Sequence, residues 1–395
     1  MRDALSIDEI LTRRVEKVLP AKEGLLQLMS KRKIRLYQGF DPTGSRLHLG
    51  HSIGLRKLME FANLGHEVIF LFGTGTVLVG DPSLRDSARK PITQAEIEKN
   101  IKDWKRQAAP LVDFEKVSIK ENGDWLIPLT LKEIIGIASN ISSLQLFKRE
   151  MFQRRLQRGD TVWYHETMYP LLQGYDSVVM DVDLEIGGTD QEFNMLIGRD
   201  LQRKMNSKEK YILTTPMIMG TDGKQMSKSS GNCVWLDDSP QDMFGKIMSM
   251  PDSQTVPYLT LVTSLPLSRV KEIEDLVQLK EMHPMEAKRL CAWEVVKDFH
   301  GRKAADKAGE EFRETFSEGK LPLDIPATVV KTKKLSPVDL LCEAKLASSK
   351  SNARRLIEQG GVRIDGVVLQ DGKTPVLIRK GMIIQVGKRK YAKIA

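Results

Sequence analysis

Little in this chain supports a covalent cross-link, a membrane span or an export leader. Cysteine occurs three times in 395 residues, at Cys233, Cys291 and Cys342. An odd number of widely spaced thiols argues against both a disulfide framework and a zinc cluster. No apolar run approaches the roughly 18 residues of a membrane helix, so no membrane partner is expected. The N-terminus, Met1-Arg2-Asp3-Ala4-Leu5-Ser6-Ile7-Asp8, carries acids where a leader would carry an apolar core. A reducing cytoplasm is the expected compartment. Gly73-Thr74-Gly75-Thr76-Val77-Leu78 lacks the third glycine of a dinucleotide fingerprint, which argues against a hydride-transfer enzyme.

Acidic residues are scarce in one region only. From Leu335 to Ala395 the chain has 12 Lys and Arg against 5 Asp and Glu, whereas the first 334 residues have 49 against 47. A nearly neutral body with a basic tail predicts a polyanionic partner met by the tail, or else a basic surface that is merely solvated. The length predicts two or three domains, and 41% hydrophobic with 29% charged residues is the balance of a globular protein.

The strongest local pattern is Tyr37-Gln38-Gly39-Phe40-Asp41-Pro42-Thr43-Gly44-Ser45-Arg46-Leu47-His48-Leu49-Gly50-His51. Asp41 to Gly44 reads as a turn leading into a helix start. His48 and His51, three apart, fall on one helix face. A helix N-terminus offers free N–H groups and positive partial charge, which suit phosphate. Two imidazoles there can donate to a phosphate oxygen as it gains charge, and Gly50 leaves room for a nucleotide. A bare pair of this kind also fits one exposed and one buried histidine on an ordinary amphipathic helix.

Glu67 to Gly73 reads as a buried parallel strand, and alternation with helical stretches predicts a doubly wound α/β sheet. Asp81 falls just beyond that strand, where such sheets bind ligands; it either caps the next turn or meets a ligand. Leu25, Leu28 and Met29 form an apolar stripe in an opening segment that reads as helical. Asp176 to Asp190 reads as a strand running into a Gly187-Gly188 turn. Asp190 either accepts from ribose hydroxyls or caps the helix beginning near Gln191. Tyr169, Gln173 and Asp176, spaced by four and three, share a face if their segment is helical. From Pro240 to about Lys320 the pattern is helical. Leu321 to Lys334, with two prolines and a basic tract, reads as a linker.

Met226-Ser227-Lys228-Ser229 is a small-residue loop whose lysine can neutralise accumulating triphosphate charge. In the tail, Ser349 to Gly361 reads as an amphipathic helix carrying Lys350, Arg354 and Arg355, ended by two glycines. A short strand with Arg363 and an Asp365-Gly366 turn follow.

Together these motifs resemble the class I aminoacyl-tRNA synthetases, through their HIGH and KMSKS signatures, and specifically the tyrosyl branch. The loop departs from the pattern: Gln225 holds the first lysine position, and Lys224 lies one place earlier. The resemblance implies catalysis by Thr43, His48, His51 and Lys228. It implies ATP contacts from Asp41, Gly50, Gly188, Asp190, Met217, Ile218, Ser227, Lys228 and Ser229. Tyrosine would be held by Tyr37, Gly39, Asp81, Tyr169, Gln173, Asp176 and Gln191. Asp81, Tyr169 and Gln173 would face its ammonium group, and Tyr37 and Asp176 its phenolic hydroxyl. The tail resembles the S-four-like RNA-binding module, with Lys350, Arg354, Arg355 and Arg363 meeting phosphates. The implied fold is a Rossmann-like parallel-sheet catalytic domain (1–235), an α-helical anticodon-side domain (236–325), a linker (326–334) and a small α+β S-four-like domain (335–395). The implied partners are L-tyrosine, ATP with Mg2+, tRNA(Tyr) and a second copy of the chain, with no protein-bound metal. Two rivals remain at this level: a tryptophanyl enzyme, against which Tyr37 and Asp176 argue, and a noncatalytic RNA binder, against which the two histidines and Lys228 argue.

Overall fold

The computed structural model describes residues 7–82, 92–228, 230–317, 325–330, 332, 334–369, 371–372, 374–387 and 390–395. By contact the chain divides into two compact units, Met1–Ala305 and Asp306–Ala395.

The first unit is built on six strands: β1 (Lys17–Leu19), β2 (Arg35–Phe40), β3 (Glu67–Phe72), β4 (Val117–Glu121), β5 (Leu184–Gly188) and β6 (Tyr211–Thr215), in the order β1-β6-β5-β2-β3-β4. All neighbours are parallel except β1, which runs antiparallel to β6 on the edge. The opening segment is therefore not wholly helical. Its Lys17–Leu19 stretch is three residues long, too short to show a strand period, and pairing with β6 decides it. The chain order reverses between β2 and β5. Their carboxyl ends diverge there and open the crevice in which such sheets bind ligands.

β3 is almost wholly apolar because both faces are covered: Val68, Ile69, Phe70, Leu71 and Phe72 are buried. The Leu49–Asn63 helix follows β2 with His48 as its N-cap. The Tyr164–Met180 helix runs through Pro170 to Met180, so the strand expected from Asp176 starts only at Leu184. It packs against the Glu192–Asn206 helix, where a Cβ on Gly174 would meet the Gly198 backbone at 3.0 Å. Two glycines at the crossing bring the backbones together beside Gln173 and Ser177. The Pro240–Met248, Thr255–Val262, Leu267–Gln278 and Pro284–His300 helices belong by contact to this same unit.

The second unit packs the Pro337–Glu343 and Lys350–Glu358 helices on a small sheet, around buried Leu340, Leu341, Ala353, Ile357, Val362 and Ile384. Two stretches of the expected linker are strands: Ala327–Thr328 pairs with Lys393–Ile394, and Lys334–Leu335 with Val376–Leu377. Prolines and basic residues mark an interruption of pattern, and pairing with strands far along the same chain overrides that local signal. No helix among the described residues is long and apolar enough to cross a membrane.

Candidate active site

A cleft of about 920 Å3 opens at the carboxyl ends of β2 and β5. Tyr37, Gly39, Asp41, Thr43, His48, Gly50, His51, Asp81, Tyr169, Gln173, Asp176, Gly188, Asp190, Gln191, Met217, Ile218, Ser227 and Lys228 all line it. Ser229 lies outside the described residues.

At one end the two histidines sit at the N-cap and N3 of their helix rather than both within it. His48 Nδ1 accepts from the Gly50 N–H at 3.2 Å, and His51 Nδ1 accepts from the His48 N–H at 3.1 Å. Burial pushes His48 down to about 3, helped by the Lys228 charge. Burial also holds His51 well below its ordinary value, with His48 and Lys228 adding to it. Both rings are therefore neutral at pH 7. His48, whose Nδ1 accepts, carries its proton on Nε2 and is a donor there. His51 Nδ1 also lies 3.3 Å from His48 O, so its proton is on Nε2 when Nδ1 accepts the His48 N–H and on Nδ1 when it donates to that carbonyl. A Cβ on Gly50 would meet the His48 ring at 2.9 Å, so this glycine makes room for the capping imidazole as well as for any ligand.

The loop lysine comes from far along the chain. Leu49 N–H donates to Val234 O at 2.9 Å and Leu236 N–H to Leu47 O at 2.8 Å, so the residues after the loop run beside those entering the helix. Buried Asn232 stitches the loop: its Oδ1 accepts from Ser227 N–H at 3.0 Å, and its Nδ2 donates to Asp222 at 2.8 Å and to Gln225 O at 3.1 Å. Lys224 and Gln225 also line the cleft. Lys228 Nζ lies 5.3 Å from the centre of the Trp104 ring.

At the deep end Asp176, 2% exposed, accepts from Asn122 Nδ2 at 3.0 Å and Trp125 Nε1 at 2.9 Å. Burial lifts its carboxyl well above the usual range, although both hydrogen bonds oppose this. The Tyr37 hydroxyl, fully buried, is 2.9 Å from Ser177 Oγ. Ser177 accepts from Lys210 Nζ at 2.9 Å, and Lys210 is ion-paired with Glu185 in the interior. Glu185 in turn accepts from Gln173 Nε2 at 3.1 Å.

The side wall is acidic. Tyr169 donates to Asp41 at 3.0 Å, and Thr76 Oγ1 donates to the other Asp41 oxygen at 2.8 Å. Gln191 Nε2 donates to Asp81 at 2.8 Å and to Asp190 at 2.9 Å, and Arg149 approaches Asp81 at 3.6 Å. Burial lifts Asp190, and Asp81 adds to the lift against the Gln191 bond. Asp190 is not the cap of the following helix. It sits inside the Thr189–Gln191 3-10 turn, and Gln191 holds the N-cap position of Glu192–Asn206 with no side-chain cap.

Sequence reasoning missed Trp104, Asn122, Trp125, Ser177, Glu185 and Lys210. Of these, only Trp104 carried a signal: with Asn100 and Gln107 it forms a stripe at i, i+4, i+7 that is not aliphatic, on a helix whose other inner residues are. The rest had none. Among the described residues no three His, Cys, Asp or Glu side chains gather as a metal site.

In the second unit Arg354, Arg355 and Arg363 are exposed, the first two on the Lys350–Glu358 helix and the third on Val362–Ile364. Lys350 is ion-paired with Asp339 at 2.8 Å.

Residues 29–317 match the family described as tRNA synthetases class I (W and Y), and residues 338–384 match the S4 domain. The chain is 39% identical to the tyrosine–tRNA ligase of Thermotoga maritima over 388 residues, 98% of this chain and 96% of that one. It is likewise 39% identical to the tyrosine–tRNA ligase of Aquifex aeolicus, over 95% of each chain. A C-terminally truncated mitochondrial tyrosyl-tRNA synthetase from Aspergillus nidulans has a similar fold: TM-score 0.67 at 23% identity, covering 78% of this chain and 93% of that one.

Proposed function

The chain belongs to the class I tRNA synthetases and, within them, to the tyrosine–tRNA ligases, and on that premise we propose how its residues divide the reaction. Tyrosine enters with its phenol toward Tyr37 and Asp176 and its ammonium group toward Asp81, Tyr169 and Gln173. The observation that carries this reading is a single cleft with buried Asp176 and Tyr37 at one end and two neutral histidines with a lysine at the other.

Donor and acceptor counts support it. The Tyr169 proton is given to Asp41, so its oxygen offers lone pairs to an ammonium. Asp41, Asp81 and Asp190 give that wall the negative potential a cation needs.

ATP, with the Mg2+ that accompanies its triphosphate, lies along Gly188, Asp190, Met217 and Ile218. The tyrosine carboxylate attacks the α-phosphorus; an O–P bond forms, and the bond to pyrophosphate breaks. Negative charge grows on the phosphate oxygens. His48 and, in its Nε2-protonated tautomer, His51 donate from Nε2, Lys228 supplies a positive charge, and Thr43 orients the phosphates. Neutral imidazoles suit this step, since they donate without having to lose a proton. A hydroxyl at the end of tRNA(Tyr) then attacks the carbonyl, and AMP departs. The scheme needs no covalent nucleophile.

Arg354, Arg355, Lys350 and Arg363 hold tRNA phosphates, giving affinity and salt dependence rather than base reading. A second copy covers the apolar residues left exposed between Ile127 and Tyr164. Leu131 and Ile135 at i, i+4, Leu144, Trp163 and Tyr164 are all solvent-facing on adjoining elements. The cytoplasm is the compartment proposed for this reaction. Division into catalytic (1–235), anticodon-side (236–325) and S-four-like (335–395) parts belongs to the same proposal.

The test is exchange of pyrophosphate into ATP without tRNA, with tyrosine, phenylalanine and tryptophan supplied separately. Exchange with tyrosine alone is expected; exchange with tryptophan would overturn the pocket assignment.

A further inference from the structure

The Gln94–Ala108 helix holds the turn that precedes His48 through one stripe of buried side chains. Asn100 Nδ2 donates to Pro42 O at 2.8 Å, Trp104 Nε1 to Gly44 O at 2.6 Å, and Gln107 Nε2 to Ser45 O at 2.7 Å. Gln107 Oε1 accepts the Leu47 N–H at 2.8 Å. Irregular backbone carrying Thr43 is thus fixed by a neighbouring helix rather than by its own ladder.

Trp104 does more than its two neighbours in the stripe. Its ring lies 6.0 Å from that of His51, and the Lys228 ammonium sits 5.3 Å from its centre. The same ammonium lies 4.0 Å from where a Cβ on Gly44 would be. One side chain therefore meets the turn, the second histidine of the pair and the loop.

We infer that Trp104 is a positioning residue for adenylate formation: its ring seats the Lys228 ammonium beside His48 and His51, while its N–H fixes the Gly44 carbonyl. The face of an indole offers a neighbouring ammonium a negative potential. A carboxylate in that place would pair with Lys228 and withhold it from phosphate. The negative face of an indole attracts the cation weakly enough to release it to a forming pyrophosphate.

This inference rests on the reading of Lys228 as a phosphate ligand. The experiment measures tyrosine-dependent pyrophosphate exchange by the full chain in Trp104→Phe, Lys228→Met and the double variant. Trp104→Phe should lower kcat roughly fivefold, leave the KM for tyrosine unchanged, and lower kcat clearly less in the Lys228→Met background, where only the loss of the bond to Gly44 is felt. An equal fall in both backgrounds, or none in either, overturns the inference. If Lys228→Met alone left kcat unchanged, the reading of Lys228 would fall and this one with it. If Lys228→Met lowered kcat and Trp104→Phe did not, only the role of Trp104 would fall. Site-specific fluorotryptophans at position 104 separate its two parts. Fluorine weakens the ring face but strengthens the N–H as a donor, so kcat should drop stepwise with fluorine number. A flat or rising series would assign Trp104 to holding Gly44 alone.

Discussion

The Tyr169 hydroxyl donates to the Asp41 carboxylate at 3.0 Å, tying the turn before the histidine pair to the helix that carries Gln173 and Asp176. The bond spans 128 positions of sequence. It also decides how Tyr169 meets a ligand, because a hydroxyl that has given its proton to a carboxylate can only accept from the next group.

Tyr169→Phe should therefore raise the KM for tyrosine about tenfold, the cost of one hydrogen bond to a charged group. Its kcat at saturating tyrosine should change far less. Pyrophosphate exchange over a tyrosine series measures both; an unchanged KM would reduce Tyr169 to a prop for Asp41.

Asp176→Asn should erode discrimination of tyrosine from phenylalanine. The carboxylate is already held by two N–H donors, Asn122 and Trp125. An amide in its place turns an NH2 group toward one of them and removes an acceptor, and an unpaired buried polar group costs about 1–3 kcal/mol. The ratio of kcat/KM for the two amino acids in the exchange assay should fall, together with thermal stability. A preserved ratio would place recognition of the phenol elsewhere.

The histidine pair should leave a mark on stability against pH. His48 has its folded value lowered to about 3 from 6.5. Between those values the unfolded chain takes up a proton that the folded chain refuses, so its contribution is intact above about pH 6.5 and is lost as pH falls toward 3. His48→Asn, which preserves a side-chain cap, should flatten that part of the curve in denaturant titrations run from pH 7 to pH 4. The same shift predicts no acid limb near pH 6.5 from His48 in kcat.

Charge removal from the tail should separate the two half-reactions. With Arg354 and Arg355 both changed to Ala, tRNA charging should fall, and the slope of log affinity against log salt should shrink by about 2. Tyrosine-dependent exchange without tRNA should persist. Loss of both activities together would refute a tail that acts only on RNA.

Introducing charge on the exposed apolar face should dissociate a pair of chains. Ile135 and Leu144 are 59% and 75% exposed, so Ile135→Glu with Leu144→Glu costs little in an isolated chain. Sedimentation should show a shift toward monomer at micromolar concentration; an unchanged mass would remove this face from the interface.

Much of this molecule was legible in its residues. The Glu67–Phe72 strand, the helix after His48 and the basic helix of the tail each announce themselves by a local period or a cap. Residue chemistry within a few positions, such as Tyr169, Gln173 and Asp176 on one helical face, is also set by backbone geometry alone. What was misread was short or context-driven: Lys17–Leu19 becomes a strand only because β6 lies beside it, and Ala327–Thr328 only because Lys393–Ile394 does.

The sequence by itself determined most of the elements, the family and most of the groups that line the cleft, because those follow from periods and motifs a few residues long. Tertiary structure alone decided the partners. Ser177 behind Tyr37, Lys210 behind Ser177, Asn122 under Asp176 and Trp104 beneath Lys228 meet across 33 to 140 positions. No local pattern encodes such meetings. They arise when layers pack to bury their apolar faces, and a polar group enclosed by that packing must find whichever hydrogen-bonding partner the next layer brings.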